Sequence, residues 1–366
     1  MQTLFNRIAW FRMEQYLLRH KLCRIAIAGT YGRTLVAHMA YNAMRQHRHV
    51  RLGYAVEDVS DIPLGVLGRD HETEHGNIIT FLTGVWQREL HEKEPDTIIT
   101  ELPVLQPGFI PYAASKILPN IVVMHHIVTF EEEYRDALKY LARDVVIIAN
   151  ADDEVVMDVV RESDLKIITY GRSKDADIRI ARTVRGDAQT GIFITIHAHG
   201  VDHELFLPNL FVKEHVSAFA CALACAYATK IPIPEAMRGI QHMVLPEGAL
   251  RKREGERGET IISEYVECVD QMLESMKSFQ ALPHAGRKIV MLQDIVPMGA
   301  QDCERIGEQL TKSATLIVFI GKAMRQVQDV VHRSGEKIDT HWFATRSEAV
   351  AWLSPHITGS DMILDI

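Results

Sequence analysis

The stretch Cys23–Arg45, which reads CRIAIAGTYGRTLVAHMAYNAMR, decides the fold of this chain. It opens with a short apolar run, Cys23–Ala28, that has the length and composition of a buried strand. A glycine-containing loop follows at Gly29–Thr34, and a helical pattern then covers Leu35–Arg45. A strand, a glycine loop and a helix in this order predict the first half of a βαβ unit.

The loop Gly29–Thr34 carries the clearest chemistry. Backbone N–H groups of such a loop form a concavity for phosphate oxygens, and the N-terminus of the following helix adds positive potential. Thr34 stands where a hydroxyl can ligate a phosphate-bound Mg²⁺, and Arg33 is placed to reach the β- or γ-phosphate. The Walker A pattern requires Gly at the position of Ile27 and Lys at that of Arg33. A tight strand–helix turn without any ligand therefore stays open as the alternative.

Apolar runs alternate with helical patterns after this unit. Such alternation predicts an α/β fold with a doubly wound, mostly parallel sheet. Further on, Gly191–Ala198 and Glu204–Leu207 predict a β-hairpin around Gly200, and Val216–Ala228 predicts a buried helix. The apolar runs are Thr97–Thr100, Asn120–Met124, Val145–Ala149 and Lys166–Thr169.

A charged, glycine-bearing stretch at Pro246–Gly258 (PEGALRKREGERG) predicts a domain boundary. The expected domains are a P-loop-containing central domain at 21–244 and a smaller Rossmann-like α/β domain at 245–366. Residues 1–20 predict an amphipathic helix. That helix either docks on the first domain or serves as a membrane-surface or partner helix. Its apolar face is expected to comprise Leu4, Phe5, Ile8, Phe11 and Leu18.

Composition excludes several classes of protein. With 40 Lys+Arg against 48 Asp+Glu, the net charge is -8, which argues against a nucleic-acid coat. The five cysteines form no C-x-x-C pair and fit a reducing cytosol. The longest small-apolar stretch, Val216–Ile231, is shorter than the roughly 20 residues that span a bilayer. Arg7, Arg12 and Glu14 interrupt any signal-peptide core. We therefore expect a cytoplasmic protein without a transmembrane segment.

Two histidine patterns look like metal sites. His71–His75 fits H-E-x-x-H, but Gly68 and Gly76 flank it and disfavour the helix that a zinc peptidase needs. His197–His203 lies at the predicted hairpin and is interpreted as a polar surface turn.

The order of several motifs resembles that of the Mur ligases, which are ATP-dependent amide-forming enzymes of peptidoglycan synthesis. The resemblance is strongest to the D-alanyl-D-alanine-adding members of that family and covers roughly residues 22 to 366. GTYGRT at Gly29–Thr34 is similar to the family's G-T-x-G-K-T. The other matching segments are Thr73–Asn77, Glu101 in ITELP, Asn150–Asp153, the alanine-rich Ala218–Ala226, Ser275-Met276, Val290–Gly299 and Gly359–Leu364.

The resemblance implies ATP and Mg²⁺ as cofactors and a set of site residues. Catalytic roles fall on Arg33, Glu101 and Lys139, the last as the counterpart of a carbamylated lysine. Metal ligation falls on Thr34, Glu101, His125 and His126. Cofactor binding falls on Gly29, Thr30, Tyr31, Gly32, Arg33, Thr34, Asp152 and Glu264.

The chain also departs from the family pattern. Arg33 replaces the P-loop lysine, Lys213-Glu214 replaces an H-N pair, and Ser263–Tyr265 keeps one carboxylate of D-D-x-Y-N. A terminal K-G-S is not present after Asp365-Ile366. With about twenty residues before the first strand, we expect the UDP-binding domain to be missing, so a partner protein is expected to supply it.

The resemblance implies transfer of the ATP γ-phosphoryl group to a carboxylate, followed by attack of an amine on the acyl phosphate. Small carboxylates and amines, such as amino acids or peptides, are the expected substrates. The alternative is a catalytically degenerate Mur-like protein that acts as a nucleotide-binding or scaffolding subunit. An unrelated P-loop kinase or ATPase ranks last, because the candidate strands end in Thr100-Glu101 and Asn150 rather than in a Walker B aspartate.

Overall fold

The computed structural model describes residues 2–53, 58–69, 81, 83–84, 93–103, 106–185, 191–294 and 298–366. The chain divides into two compact units, Met1–Val244 and Leu245–Ile366. Each unit is built on its own sheet, and the units are described separately.

The sheet of the first unit is parallel except at one edge. Its order is β2-β3-β1-β4-β5-β6-β7-β8-β9, and only the pairs β7–β8 and β8–β9 are antiparallel. The strands are β1 (Cys23–Ala28), β2 (Val50–Leu52), β3 (Thr97–Leu102), β4 (Ile121–Met124), β5 (Val146–Asn150), β6 (Lys166–Gly171), β7 (Ile178–Arg185), β8 (Ile192–Ala198) and β9 (Val201–Leu207).

This topology confirms the predicted doubly wound α/β fold. β1 lies between β3 and β4, so the chain crosses from one side of β1 to the other after β3. Ligands of such sheets bind outside the carboxyl ends of the strands at this kind of switch point. The loop that follows β1 therefore lies where the fold favours a ligand.

The helices of the first unit connect and cover these strands. In the described residues they are α1 (Gln2–Arg19), α2 (Arg33–Met44), α3 (Asp61–Leu67), α4 (Phe109–Ile117), α5 (Glu131–Leu138), α6 (Glu154–Arg161), α7 (Lys213–Ala228) and α8 (Ile233–Ile240). No helix in the described ranges is long and apolar enough to cross a membrane.

Helix α1 docks on the first unit through a face that matches the sequence pattern only in part. Phe5 is buried and Ile8 is partly buried against the core, whereas Leu4, Phe11 and Leu18 are exposed. The buried side is more varied in composition and belongs to the main core of the unit, next to α3 and α4. A count of Leu and Phe therefore located the face only in part. The buried residues are Phe5, Ala9, Trp10, Met13, Tyr16 and Leu17.

Helix α7 is the buried helix that the sequence predicted. Its small residues allow α2 to pack closely against it. Helix α8 also approaches α2, where a Cβ at Gly239 would lie 2.4 Å from the carbonyl oxygen of Asn42. These helices fix the position of α2, whose N-terminus carries the loop.

The second unit has the sheet order β10-β11-β15-β12-β13-β14, in which only β10–β11 is antiparallel. Its strands are β10 (Ala249–Glu254), β11 (Thr260–Glu264), β12 (Lys288–Gln293), β13 (Leu316–Ile320), β14 (Asp339–Phe343) and β15 (Met362–Asp365). Its α-helices are α9 (Val269–Gln280), α10 (Ala300–Ser313), α11 (Met324–Arg333) and α12 (Arg346–Leu353).

The charged stretch Pro246–Gly258 is not simply a linker. Within it, Ala249–Glu254 forms the edge strand β10, and its last four side chains are charged and exposed. Charged residues are a common protection of an exposed sheet edge, which explains why the composition resembled a linker.

Candidate functional site

The loop Gly29–Thr34 leaves the carboxyl end of β1 and enters α2. Gly32 has φ +78, and a Cβ at this position would lie 2.9 Å from Cδ2 of His125. Both the positive φ and this close approach require glycine. The backbone N–H of Thr30 donates to the carbonyl of His126 at 2.5 Å, and the N–H of Val128 donates to Oγ1 of Thr30 at 3.0 Å. The segment after β4 therefore holds the loop in place.

Arg33 turns its guanidinium into this loop. Its Nη1 donates to the carbonyl oxygens of Gly29 at 2.6 Å and of Thr30 at 2.7 Å. Its Nε lies 3.8 Å from Oε2 of Glu101, and Arg33 is only 5% exposed. The fixed positive charge of the site is thus inside the loop and next to a carboxylate.

Glu101 is the second charged group of the site. It lies near the end of β3, opposite Ile27 of β1 in the parallel register, and is 4% exposed. Oγ1 of Thr34 donates to its Oε2 at 3.1 Å. A buried carboxylate needs both hydrogen bonds and a counter-charge. Thr34 and Arg33 provide them, although they are more than sixty residues away in sequence.

Thr34 and Glu101 are predicted metal ligands whose side-chain oxygen atoms the structure brings together. Among the described residues, no group of three or more His, Cys, Asp or Glu side chains is arranged to hold a metal ion. Mg²⁺ is usually bound by one or two protein oxygens together with substrate phosphates and water. The Thr34–Glu101 pair therefore has the donor chemistry for Mg²⁺, with Arg33 as a competing cation beside it.

His125 is buried behind the loop rather than exposed to a ligand. Its Nδ1 is 2.6 Å from the hydroxyl of Tyr170 on β6, and its ring contacts Gly32. Burial, assisted by the neighbouring His126, holds the pKa of His125 well below its usual range. Burial also raises the pKa of Tyr170 well above its ordinary value. A neutral, packed imidazole of this kind supports the loop, so the contacts favour a structural role over the predicted metal ligation.

His126 lies at the rim of the site. Its ring stacks on Tyr31 with a centroid distance of 4.7 Å and an interplanar angle of 8°. Its Nδ1 is 3.1 Å from Oδ2 of Asp153, whose Oδ1 caps α6 by accepting from the N–H of Val156. Asp153 therefore fixes the orientation of His126, and His126 in turn supports Tyr31 of the loop.

Asp152 braces the turn that follows β6. Its carboxylate accepts from the backbone N–H groups of Arg172 at 2.8 Å and of Ser173 at 3.0 Å. It also lies directly against Gly171, where no side chain would fit. These contacts give Asp152 a structural task, whereas the sequence assigned it to the cofactor.

Lys139 is the residue that the family resemblance assigns to a carbamylated lysine. It follows α5, is exposed, and its Nζ pairs with Oδ1 of Asp136 at 2.6 Å. This ion pair explains how the side chain is held, and the catalytic role of Lys139 stays a prediction.

The remaining predicted residues lie elsewhere. Glu264 ends β11 in the second unit, where it is buried and accepts from Nε2 of Gln271 at 2.6 Å. The His71–His75 and Thr73–Asn77 motifs lie outside the described residues. His197 is on β8 and its Nδ1 pairs with Asp202 at 2.6 Å across the hairpin. That contact agrees with a polar turn.

Sequence reasoning missed the two residues that hold His125. Nδ2 of Asn150 donates to the carbonyl of His125 at 2.9 Å, and the hydroxyl of Tyr170 meets its ring. Asn150 had a signal, because a polar residue ends the buried strand β5. Tyr170 had none, since a tyrosine in an apolar strand is ordinary core.

No protein-family model matches the chain. Over 313 residues it is 20% identical to the UDP-N-acetylmuramate–L-alanine ligase of Streptomyces griseus, a match that covers 82% of this chain and 61% of that enzyme. The ligase of the same name from Streptomyces coelicolor is 20% identical over 285 residues, or 75% of this chain and 56% of the enzyme. The chain thus spans less than two thirds of the length of these curated relatives.

Solved structures match over nearly the whole chain. MurF ligase from Thermotoga maritima in complex with ADP superimposes with a TM-score of 0.80 at 13% identity, covering 98% of this chain and 79% of that one. A crystal structure of MurF from Acinetobacter baumannii gives a TM-score of 0.78 at 16% identity, covering 100% of this chain and 77% of that one. At such identities the likeness shows the fold.

Proposed function

This chain is a relative of the Mur ligases in sequence and in fold, and we propose that it binds ATP at the Gly29–Thr34 loop and uses it to join a carboxylate to an amine. The observation that carries the proposal is the arrangement of Arg33, Thr34 and Glu101 at the carboxyl edge of the sheet. A loop that served only as a turn would not need a buried cation, a buried carboxylate and a hydroxyl between them.

The proposed ligase reaction has two steps. A carboxylate oxygen of the acid attacks the γ-phosphorus of ATP, and the bond to the β-phosphate bridging oxygen breaks, which gives an acyl phosphate and ADP. The amine then attacks the acyl carbon, inorganic phosphate leaves, and the amine loses a proton to give the amide.

The protein acts in these steps mainly by positioning and by neutralising charge. Loop N–H groups and Arg33 would hold the phosphates. Thr34 and Glu101 would hold Mg²⁺, which when bound supplies further neutralisation of phosphate charge. His126 and Asp153 would keep Tyr31 and the loop in register with them.

The substrates follow from the family chemistry rather than from any contact described above. We propose an amino acid or peptide as the amine and a cell-wall precursor as the acid, in the cytoplasm. We take the members that add D-alanyl-D-alanine as the model for these substrates. A partner protein that holds the UDP-linked acid belongs to the same proposal.

One observation favours a second function. Arg33 already donates to two carbonyls of its own loop, so part of its hydrogen-bonding capacity is used within the protein and not for phosphate. A nucleotide-binding subunit without catalysis would use the loop in this state, with ATP as a structural or regulatory ligand.

Release of ADP separates the two functions. Purified protein is incubated with Mg-ATP and mixtures of amino acids and acidic precursors, and ADP and phosphate are quantified. The ligase predicts substrate-dependent ADP release that Thr34→Val and Arg33→Ala reduce, with Arg161→Ala as a control on the surface of α6. Tight ATP binding without substrate-dependent release would favour the non-catalytic subunit, and the absence of ATP binding would exclude both.

A further inference from the structure

The buried pair of Arg33 and Glu101 bears on whether the loop needs a metal ion to bind phosphate. Both side chains are almost completely shielded from water, at 5% and 4% exposure. The pair lies within the loop–strand junction where a phosphate-bound cation would be expected. A cation is therefore already part of the protein at this place.

The shared atom is Oε2 of Glu101. It accepts from Oγ1 of Thr34 at 3.1 Å and lies 3.8 Å from Nε of Arg33. A divalent ion bound by this carboxylate would lie within a few ångströms of a fixed positive charge. Like charges repel strongly in such a shielded place, because little water screens them. The pair thus weakens the attraction of Glu101 for Mg²⁺.

Arginine is suited to a permanent role of this kind. Its guanidinium stays charged at any physiological pH, and its planar fork can donate in several fixed directions. Here Nη1 donates to the carbonyls of Gly29 and Thr30, which holds the charge at the base of the loop. A lysine has a compact ammonium on a flexible stem and would not be held to both carbonyls and to Glu101 in the same way.

We propose that Arg33 is a built-in counter-ion that lets the loop bind the polyphosphate of a nucleotide without a divalent metal. The proposal rests on the proposed nucleotide binding and deepens it. Arg33 offsets the negative charge of Glu101, so the carboxylate neither repels the polyphosphate nor needs a divalent ion beside it, and Mg²⁺ adds little to binding. The loop N–H groups provide the remaining contacts to phosphate oxygens.

Isothermal titration calorimetry tests the proposal directly. ATP and inorganic tripolyphosphate are titrated into the full chain in buffer with EDTA and again with excess Mg²⁺. We expect the wild-type Kd for ATP to change by less than about threefold between the two buffers. Arg33→Met removes the charge but keeps much of the length, and its Kd in EDTA should rise at least about tenfold and recover in part with Mg²⁺.

Arg161→Met, on the exposed side of α6, is the matched control and should behave as wild type in both buffers. Circular dichroism verifies that each variant is folded. If Arg33→Met does not fold, Glu101→Gln takes its place. That variant loses the negative charge, so it should bind ATP in EDTA at least as tightly as wild type.

The outcomes separate this inference from the proposed function. Wild-type binding that is more than about tenfold weaker in EDTA would overturn the counter-ion proposal and leave nucleotide binding intact. Equal loss of affinity in Arg33→Met with and without Mg²⁺ would also overturn it, because the metal would then not replace the lost charge. A wild-type chain that binds ATP in neither buffer would refute the proposed function itself.

Discussion

Oγ1 of Thr34, the second residue of α2, lies 3.1 Å from Oε2 of Glu101 near the end of β3. This hydrogen bond links the loop after β1 to the neighbouring strand. It also joins the two predicted metal ligands that offer side-chain oxygen atoms. This hydrogen bond is therefore expected to contribute both to the stability of the loop–strand junction and to the proposed metal site.

Thr34→Val should remove this link while keeping the shape of the side chain. Loss of a hydrogen bond to a charged group costs about 1.5–3 kcal/mol. We therefore expect a lower free energy of unfolding, measured by urea denaturation. We also expect Mg-ATP turnover, measured by ADP release, to be at least about tenfold slower. Thr311→Val in α10 is the control. Unchanged stability and turnover in Thr34→Val would show that the contact has no energetic role.

The depressed pKa of His125 predicts a pH effect on stability. Burial lowers the pKa in the folded state, so the unfolded chain binds a proton more readily. The contribution of His125 is complete above the unfolded pKa of about 6.5 and is lost as the pH falls below it towards the folded pKa. The free energy of unfolding should decrease on this acid side.

The variant that tests this pH effect is His125→Gln, compared with His356→Gln at an exposed position. Burial also lowers the pKa of His38, so some slope should remain. The slope between pH 6.5 and pH 5 should become smaller only in His125→Gln, as measured by urea denaturation at each pH. An unchanged slope would contradict a neutral, buried His125.

Lys139→Ala should have almost no effect. Its only described partner is Asp136, and both side chains are largely exposed. Such surface ion pairs contribute about 0–1 kcal/mol. ATP turnover and the melting temperature should therefore match those of wild type. A large loss of turnover in Lys139→Ala, restored in part by an added small carboxylate such as acetate, would support the carbamylated-lysine role that the family resemblance implies.

Helix α1 offers a matched pair of phenylalanines. Phe5 is completely buried and makes an edge contact with Phe81, whereas Phe11 is 57% exposed. Phe5→Ala should reduce the free energy of unfolding by about 3–5 kcal/mol. Phe11→Ala should change it by less than about 0.5 kcal/mol. Equal effects in denaturant titrations would mean that the docked face is assigned wrongly.

The sequence predicted the order of strands and helices well because buried parallel strands are short apolar runs. β1 coincides with its predicted range, and the hairpin β8–β9 turns at Gly200 as expected. Edge strand β10 was hidden, because charges that protect an edge look like a linker. The face of α1 was predicted only in part, because Trp10, Met13 and Tyr16 complete the core together with Phe5.

The site was predictable only in part. The local spacing of adjacent residues such as Arg33 and Thr34 indicates a phosphate-binding loop. Their partner Glu101 was found through family resemblance, since the pairing depends on the register of β1 and β3. The role of Tyr170 required the three-dimensional structure, because nothing local relates it to His125.

The most direct test of nucleotide binding at the loop uses two glycines with the same backbone. Gly32 and Gly108 both have φ +78 and both precede a helix, but only Gly32 has a neighbour in the way of a Cβ, whereas the space at Gly108 is open. Alanine at either position therefore introduces similar backbone strain, and only Gly32→Ala also disturbs the loop against His125.

Calorimetric titration of ATP into wild type, Gly32→Ala and Gly108→Ala, all shown to be folded, is the deciding measurement. We expect wild type and Gly108→Ala to bind ATP with similar Kd values and Gly32→Ala to bind ATP at least about tenfold more weakly. Equal affinity in all three proteins would contradict the claim that the Gly29–Thr34 loop is the nucleotide site.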